Sequence, residues 1–91
     1  MFYVVCYDVS EDIRREHLSK RLLNFGTRIQ DSVFECVLDE DGYARMMYSL
    51  QGVKLASDDK VRVYRLCAPC VQMVHIYGPG DITHDPEFYL V

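Results

Sequence analysis

The sequence lacks the features that mark membrane and secreted proteins. It contains no tryptophan, only three prolines and five glycines among 91 residues, and no long hydrophobic run. Apolar stretches such as residues 2–7 are far shorter than the ~20 residues that span a membrane. The N-terminus does not show the basic and apolar pattern of a secretory signal. We therefore expect a cytoplasmic protein with no membrane partner.

Common catalytic motifs are missing as well. There is no G-x-S-x-G, no glycine-rich phosphate loop and no paired acidic dyad, so nucleophilic hydrolases and nucleotide phosphotransferases find no support. The three histidines are scattered, and none has the i+4 partner of a helical metal site.

A chain of this length forms one domain with a modest margin of stability, which favours a dimer.

Positive charge is scarce overall but locally concentrated. Ten basic residues against fourteen acidic ones give a net charge of -4, which argues against a protein that coats nucleic acid. Residues 13–30 nevertheless carry a single acidic residue and five basic ones, which are Arg14, Arg15, Lys20, Arg21 and Arg28. This asymmetry is compatible with one nucleic-acid-binding face, although a solvated helix surface is the commoner explanation for such a cluster.

The hydrophobic pattern predicts alternating strands and helices. Residues 2–9 are typical of a central strand, and a helix follows from an N-cap at Ser10 to a left-handed C-cap at Gly26. A turn at residues 39–42 and a weaker second helix from Tyr43 to Leu55 are expected next. The remaining strands are predicted at residues 27–38 (one strand or two), 61–66 and 71–77.

This order predicts an α+β fold, the ferredoxin-like plait (βαββαβ) with an extra C-terminal strand. Right-handed crossovers place both helices on one face of a four-stranded antiparallel sheet. Residues 1–78 would form the domain, and residues 79–91 a tail whose end, residues 87–91, is a candidate fifth strand. The other sheet face would be bare, so we expect a two-fold homodimer packed sheet on sheet.

Asp8 is the first candidate for chemistry because it ends an otherwise apolar strand. A helix-capping or turn role is the alternative. One carboxylate is too little for Mg²⁺, which prefers several oxygen ligands. A two-fold dimer would bring two copies of Asp8 together and favour a cation shared across the axis.

The four cysteines invite a metal or redox interpretation. Only Cys67 and Cys70 have ligand spacing, and Cys6 and Cys36 lie in separate strands, so a four-cysteine zinc site is improbable. A redox C-x-x-C normally begins a helix, whereas this one is predicted to join two strands. We therefore expect unmodified thiols in a reducing compartment.

Several ordered segments resemble the CRISPR-associated protein 2 family. They are Tyr7-Asp8-Val9, the Arg14-Arg15 pair, and the sequences NFGTRIQ (24–30), SVFEC (32–36) and DKVRVYRLC (59–67). The resemblance implies a homodimeric subunit of the CRISPR spacer-acquisition machinery, which bridges the CRISPR integrase and holds DNA. It also implies a metal-dependent endonuclease acting on RNA or DNA.

The family's functional residues map onto this chain. The resemblance implies Asp8 as the Mg²⁺ ligand, with Arg15, Arg28 and Phe34 as further catalytic residues. Many relatives carry Arg or Lys where this chain has His17, which predicts weaker, pH-dependent attraction of phosphate there. Two alternatives remain open: a non-catalytic scaffold that bridges the integrase, and a toxin ribonuclease with the same fold.

Overall fold

The chain forms a four-stranded sheet with helices on one face. This architecture is that of a computed structural model, which describes residues 1–84. Its elements are β1 (Phe2–Asp8), α1 (Asp12–Leu22), β2 (Thr27–Gln30), β3 (Val33–Val37), α2 (Glu40–Gln51), β4 (Lys60–Leu66) and α3 (Ala68–Gln72). The strand order is β2-β3-β1-β4 with every pair antiparallel. The predicted ferredoxin-like plait is confirmed.

The core lies between the sheet and the two long helices. Alternate residues of β1 and β3 point to this side, so Val5, Phe34 and Cys36 are fully buried. Leu18 and Leu22 of α1 and Met46 of α2 pack in the same cluster. Because both helices share it, this cluster lies on one face of the sheet.

Helix α1 begins and ends differently from the prediction. Glu11, rather than Ser10, is the N-cap, and its carboxylate accepts hydrogen bonds from the backbone N–H groups of Ile13 (3.0 Å) and Arg14 (3.1 Å). These bonds lower the pKa of Glu11. Gly26 is not a left-handed cap. A Cβ there would collide with the Glu35 carbonyl oxygen and Cys36 Sγ, so the glycine permits a close backbone approach.

Helix α2 begins earlier than predicted, because the acidic segment expected to be a turn is its first turn. The Asp39 carboxylate caps it by accepting the Gly42 N–H at 2.7 Å. Helix α1 is fastened to α2 by Arg21, whose Nη1 donates to the Ser49 carbonyl at 2.8 Å.

The prediction of a strand at residues 71–77 is wrong. After β4 the chain enters α3, with Pro69 in the first turn, where its missing N–H costs nothing. Residues 73–84 form neither helix nor strand. The candidate fifth strand at residues 87–91 lies outside the described part of the chain. Within residues 1–84, no helix is long and apolar enough to cross a membrane.

The second sheet face, which we term the open face, is only partly covered. Its side chains alternate with those of the core along β1, β3 and β4: Val4, Cys6, Val33, Glu35, Val37, Arg62 and Tyr64. Each of these is half-buried or exposed, whereas Phe2 at the start of β1 on the same face is buried. Thr83 reaches this face, where its N–H and hydroxyl both donate to Glu35 Oε1 at 3.2 and 2.8 Å.

Candidate nucleic-acid and metal site at the end of β1

Asp8 lies at the end of the central strand, where two cavities meet. It is exposed and stands opposite Lys60 in the β1–β4 register. Together with Tyr7 it lines a cavity of about 610 Å³ beside α1 and a second of about 320 Å³. The second cavity is also lined by Lys60 and Arg62. The Asp8 carboxylate therefore has basic side chains on both sides.

Arg15 is held at the rim of the larger cavity. Its Nη1 donates to the carbonyl oxygens of Val9 (3.0 Å) and Ser10 (3.1 Å), and its Nη2 pairs with Asp12. Bonds to two backbone carbonyls fix the guanidinium close to the strand end that carries Asp8. Lys20 lines the same cavity and pairs with Glu16 at 3.1 Å, one turn earlier on α1.

Arg28 reaches this cavity from β2. It donates to Ser19 Oγ, and its guanidinium lies over the Phe34 ring, 5.5 Å from the centroid. The Phe34 side chain is fully buried. A fully buried ring cannot contact a bound nucleic acid directly, and the site residue that it contacts is Arg28. The catalytic role predicted for Phe34 stays a prediction.

Two of the predicted nucleic-acid-binding arginines lie elsewhere. Arg14 Nε donates to Asp59 Oδ2 at 2.7 Å, and this bond lowers the pKa of Asp59. Arg21 is engaged with α2. His17, the departure from the family pattern, shares a separate cavity with Arg14 and Lys54. Of the five basic residues predicted, the structure brings Arg15, Lys20 and Arg28 together around Asp8's cavity.

The fold also gathers residues that the sequence analysis did not single out. Besides Asp8, three acidic side chains line the larger cavity: Asp12, Glu16 and Asp31. Asp31 lies in the β2–β3 connection, and the adjoining Ser32 carbonyl accepts the Tyr7 N–H at 3.1 Å. The topology of the plait places the β2–β3 connection near the end of β1, so Asp31 could have been found from the sequence. Lys60 and Arg62 could be placed near Asp8 only once the β1–β4 register was known.

The donor set fits an open magnesium site rather than a closed cage. No group of three or more metal-ligating His, Cys, Asp or Glu side chains occurs in the described chain. Asp8 supplies one exposed carboxylate. Mg²⁺ commonly binds through one or two carboxylates, several waters and substrate phosphates. Asp8 alone supplies only one carboxylate, so a cation here would need further oxygen ligands from a second copy of the chain, from water or from substrate.

Comparisons with known proteins identify the family of the chain. The family model of CRISPR associated protein Cas2 matches residues 1–74. The chain belongs to the Cas2 family. A relative named CRISPR-associated endoribonuclease Cas2 1, from Chloroflexus aurantiacus, is 41% identical over 81 residues, covering 88% of this chain and 87% of its own. This membership favours the CRISPR interpretation over a toxin ribonuclease.

Solved Cas2 structures share the fold. Streptococcus pyogenes Cas2 superposes with a TM-score of 0.73 at 28% identity, over 86% of this chain and all of that one. A chain of a partial Cas6-RT-Cas1–Cas2 complex gives a TM-score of 0.69 at 25% identity, over 91% of this chain and 98% of that one. The Cas2 plait is thus found in an assembly that contains Cas1.

Proposed function

We propose that this Cas2-family protein is a homodimeric CRISPR adaptation subunit that binds nucleic acid at the Asp8 end and acts there as a Mg²⁺-dependent endonuclease. The observation that carries the proposal is the position of Asp8. It is an exposed carboxylate between two cavities whose walls include Arg15, Arg28 and Arg62. These arginines are groups that can contact phosphates, and Asp8 is a ligand that can contact a cation.

The basic residues and Asp8 have separate roles in this mechanism. Arg15, Lys20 and Arg28 would bind backbone phosphates and align them with the end of β1. Asp8, joined by its copy from a second protomer, would hold Mg²⁺. When bound, the ion polarises the phosphate and lowers the pKa of a water molecule. Either DNA or RNA offers the phosphodiester that these residues recognise.

The dimer would form through the open face. Val4 and Cys6 are half-buried and Tyr64 is 47% exposed, so this face offers apolar area to a second copy. Asp8 continues the same alternation along β1, which places it at the end of that face. A two-fold axis there would bring two Asp8 carboxylates towards each other. The CRISPR integrase is the partner we propose for this dimer, within the cytoplasm.

The decisive experiment compares the wild type with Asp8→Asn on single-stranded RNA and duplex DNA, with Mg²⁺ and with chelator. We expect metal-dependent cleavage by the wild type and a loss of at least about 100-fold in the variant, because a metal ligand is removed. Asp41→Asn, on an exposed turn of α2, is the matched control and should cleave normally. Equal cleavage by Asp8→Asn and the wild type contradicts the assignment.

Binding can be measured apart from cleavage. Arg28→Ala should weaken binding to a labelled duplex and lower the salt dependence by about one phosphate contact. Arg45→Ala is its control, since Arg45 lies on the exposed side of α2 and pairs only locally with Asp41 at 3.2 Å. If both variants bind alike, Arg28 does not contact the backbone.

A second candidate function is that of a non-catalytic scaffold between integrase copies. The observation in its favour is that each described chain offers Asp8 without the cluster of ligands that a resident metal needs. A protein that binds duplex DNA and the integrase, but cleaves neither substrate with Mg²⁺, would establish this role. Deleting residues 86–91 should then weaken assembly with the integrase while the domain stays folded.

A further inference from the structure

Cys67 and Cys70 form a thiol pair at the opposite end of β4 from Lys60. The Sγ atoms are 2.9 Å apart and hydrogen-bonded, and both residues are exposed. The predicted strand-to-strand turn is replaced by α3, and the helical turn brings positions i and i+3 to the same side. The two sulfur atoms therefore already face each other.

The other two cysteines behave differently. Cys36 is fully buried in the core, and its burial raises the pKa of the thiol to about 11. Cys6 is half-buried on the open face. Among the cysteines, only Cys67 and Cys70 combine mutual contact with access to solvent.

We propose that Cys67 and Cys70 are a redox-active dithiol that is reversibly oxidised to an intramolecular disulfide by a small-molecule disulfide. The Cys67 thiolate attacks one sulfur of the oxidant and expels the first thiolate. The Cys70 thiolate then attacks Cys67 Sγ in the mixed disulfide and expels the second. The protein loses two electrons and two protons, and the oxidant leaves as two thiols.

The hydrogen bond gives the two thiols unequal roles. The hydrogen bond between the two thiols lowers the pKa of Cys67 and raises the pKa of Cys70. Cys67 is consequently the attacking group and Cys70 the resolving one. The pair lies far along β4 from Asp8, since Leu66 stands opposite Phe2 and Lys60 opposite Asp8. This inference is independent of the nuclease proposal.

The test incubates the full-length reduced protein with mixtures of oxidised and reduced glutathione and then locates each modification by differential alkylation and peptide mass spectrometry. We expect a Cys67–Cys70 disulfide that reverses with excess reduced glutathione, while Cys6 and Cys36 stay free. Cys70→Ser should instead accumulate a stable glutathione adduct at Cys67. A persistent adduct on the wild type, or no disulfide at any ratio, overturns the proposal.

A kinetic measurement separates chemical activation from simple exposure. In the folded Cys70→Ser and Cys67→Ser variants, the remaining thiol reacts with iodoacetamide, and Cys36 of the same chain serves as the internal control. At pH 7 we expect Cys67 in the wild type to react at least about tenfold faster than Cys36, because the larger thiolate fraction outweighs the lower intrinsic nucleophilicity. Removing Cys70 should slow Cys67. An unchanged or faster Cys67 overturns its activation by Cys70.

Discussion

The two faces of the sheet differ in how far the rest of the chain buries their side chains. On the helix-covered face, Val5, Phe34 and Cys36 are fully buried by residues of the same chain. On the open face, Val4 and Cys6 of the same central strand remain half-buried, and polar side chains stand among the apolar ones. Neighbouring residues of β1 thus point to faces with different roles. The first face stabilises the protomer, and the second is suited to a partner.

The largest effect should come from breaking the helix-covered face. Phe34→Ala removes a fully buried ring that packs with the core and supports Arg28. We expect the free energy of unfolding to fall by about 3–5 kcal/mol, measured by urea denaturation. Tyr48→Ala, at a position 81% exposed on α2, should change it by less than about 0.5 kcal/mol. A loss below about 1 kcal/mol at Phe34 would show that the core tolerates the cavity.

A charge on the open face should break the proposed dimer and leave the protomer folded. Tyr64→Asp places two like charges across a two-fold interface and removes apolar area, so the dimer should dissociate at concentrations at least about tenfold higher. Analytical ultracentrifugation measures this, and circular dichroism checks the fold. Tyr48→Asp is the matched control on the helical side. If both variants dimerise like the wild type, the interface lies elsewhere.

A smaller loss of stability should follow from removing the ion pair between Arg14 of α1 and Asp59, which precedes β4. Asp59→Asn removes the charge facing Arg14 but keeps an oxygen to accept the Ala56 N–H, now bonded at 2.8 Å. Because the folded pKa of Asp59 is lowered, its contribution is full above about pH 4 and is lost as pH falls through the folded pKa.

Thermal melts from pH 7 to pH 2 check this expectation. The variant should be less stable than the wild type at neutral pH, and the two should converge in acid. Asp41→Asn, which breaks only an exposed pair within α2, should run parallel to the wild type throughout. Curves for Asp59→Asn that stay equally separated at every pH would mean that the carboxylate's charge is not what stabilises the fold.

The sequence pattern was a good guide to the sheet and a poor one to the chain beyond it. The apolar run at residues 2–9 and the alternation at residues 61–66 predicted β1 and β4 to within one residue at each end. The segment at residues 71–77 alternates equally well, yet it forms no strand in the structure. Pro69 lies in the first turn of a short helix that ends at Gln72, and β4 stays an edge strand in the described sheet. Periodicity shows which side chains of a strand would share a face. Whether the segment pairs as a strand depends on a neighbouring strand, which the local sequence does not reveal.

The candidate site was predictable in part for the same reason. Asp8 could be identified from its place at the end of an apolar strand. The clustering of Arg14 and Arg15 gave no sign that only Arg15 would lie beside Asp8. Arg14 turns to Asp59, a partner 45 positions away. Which basic side chains are engaged in ion pairs is decided by tertiary contacts, so charge counts overstate a binding surface.

The central place of β1 has a consequence for synthesis. Its neighbours are β3 and β4, so the first strand to be made is paired on its second edge only after Lys60 has been added. At about 5–20 residues per second, the ribosome takes about 3–12 s to get there from Phe2. During that interval an apolar strand with an unpaired edge is exposed, which is the condition under which nascent chains aggregate or engage chaperones.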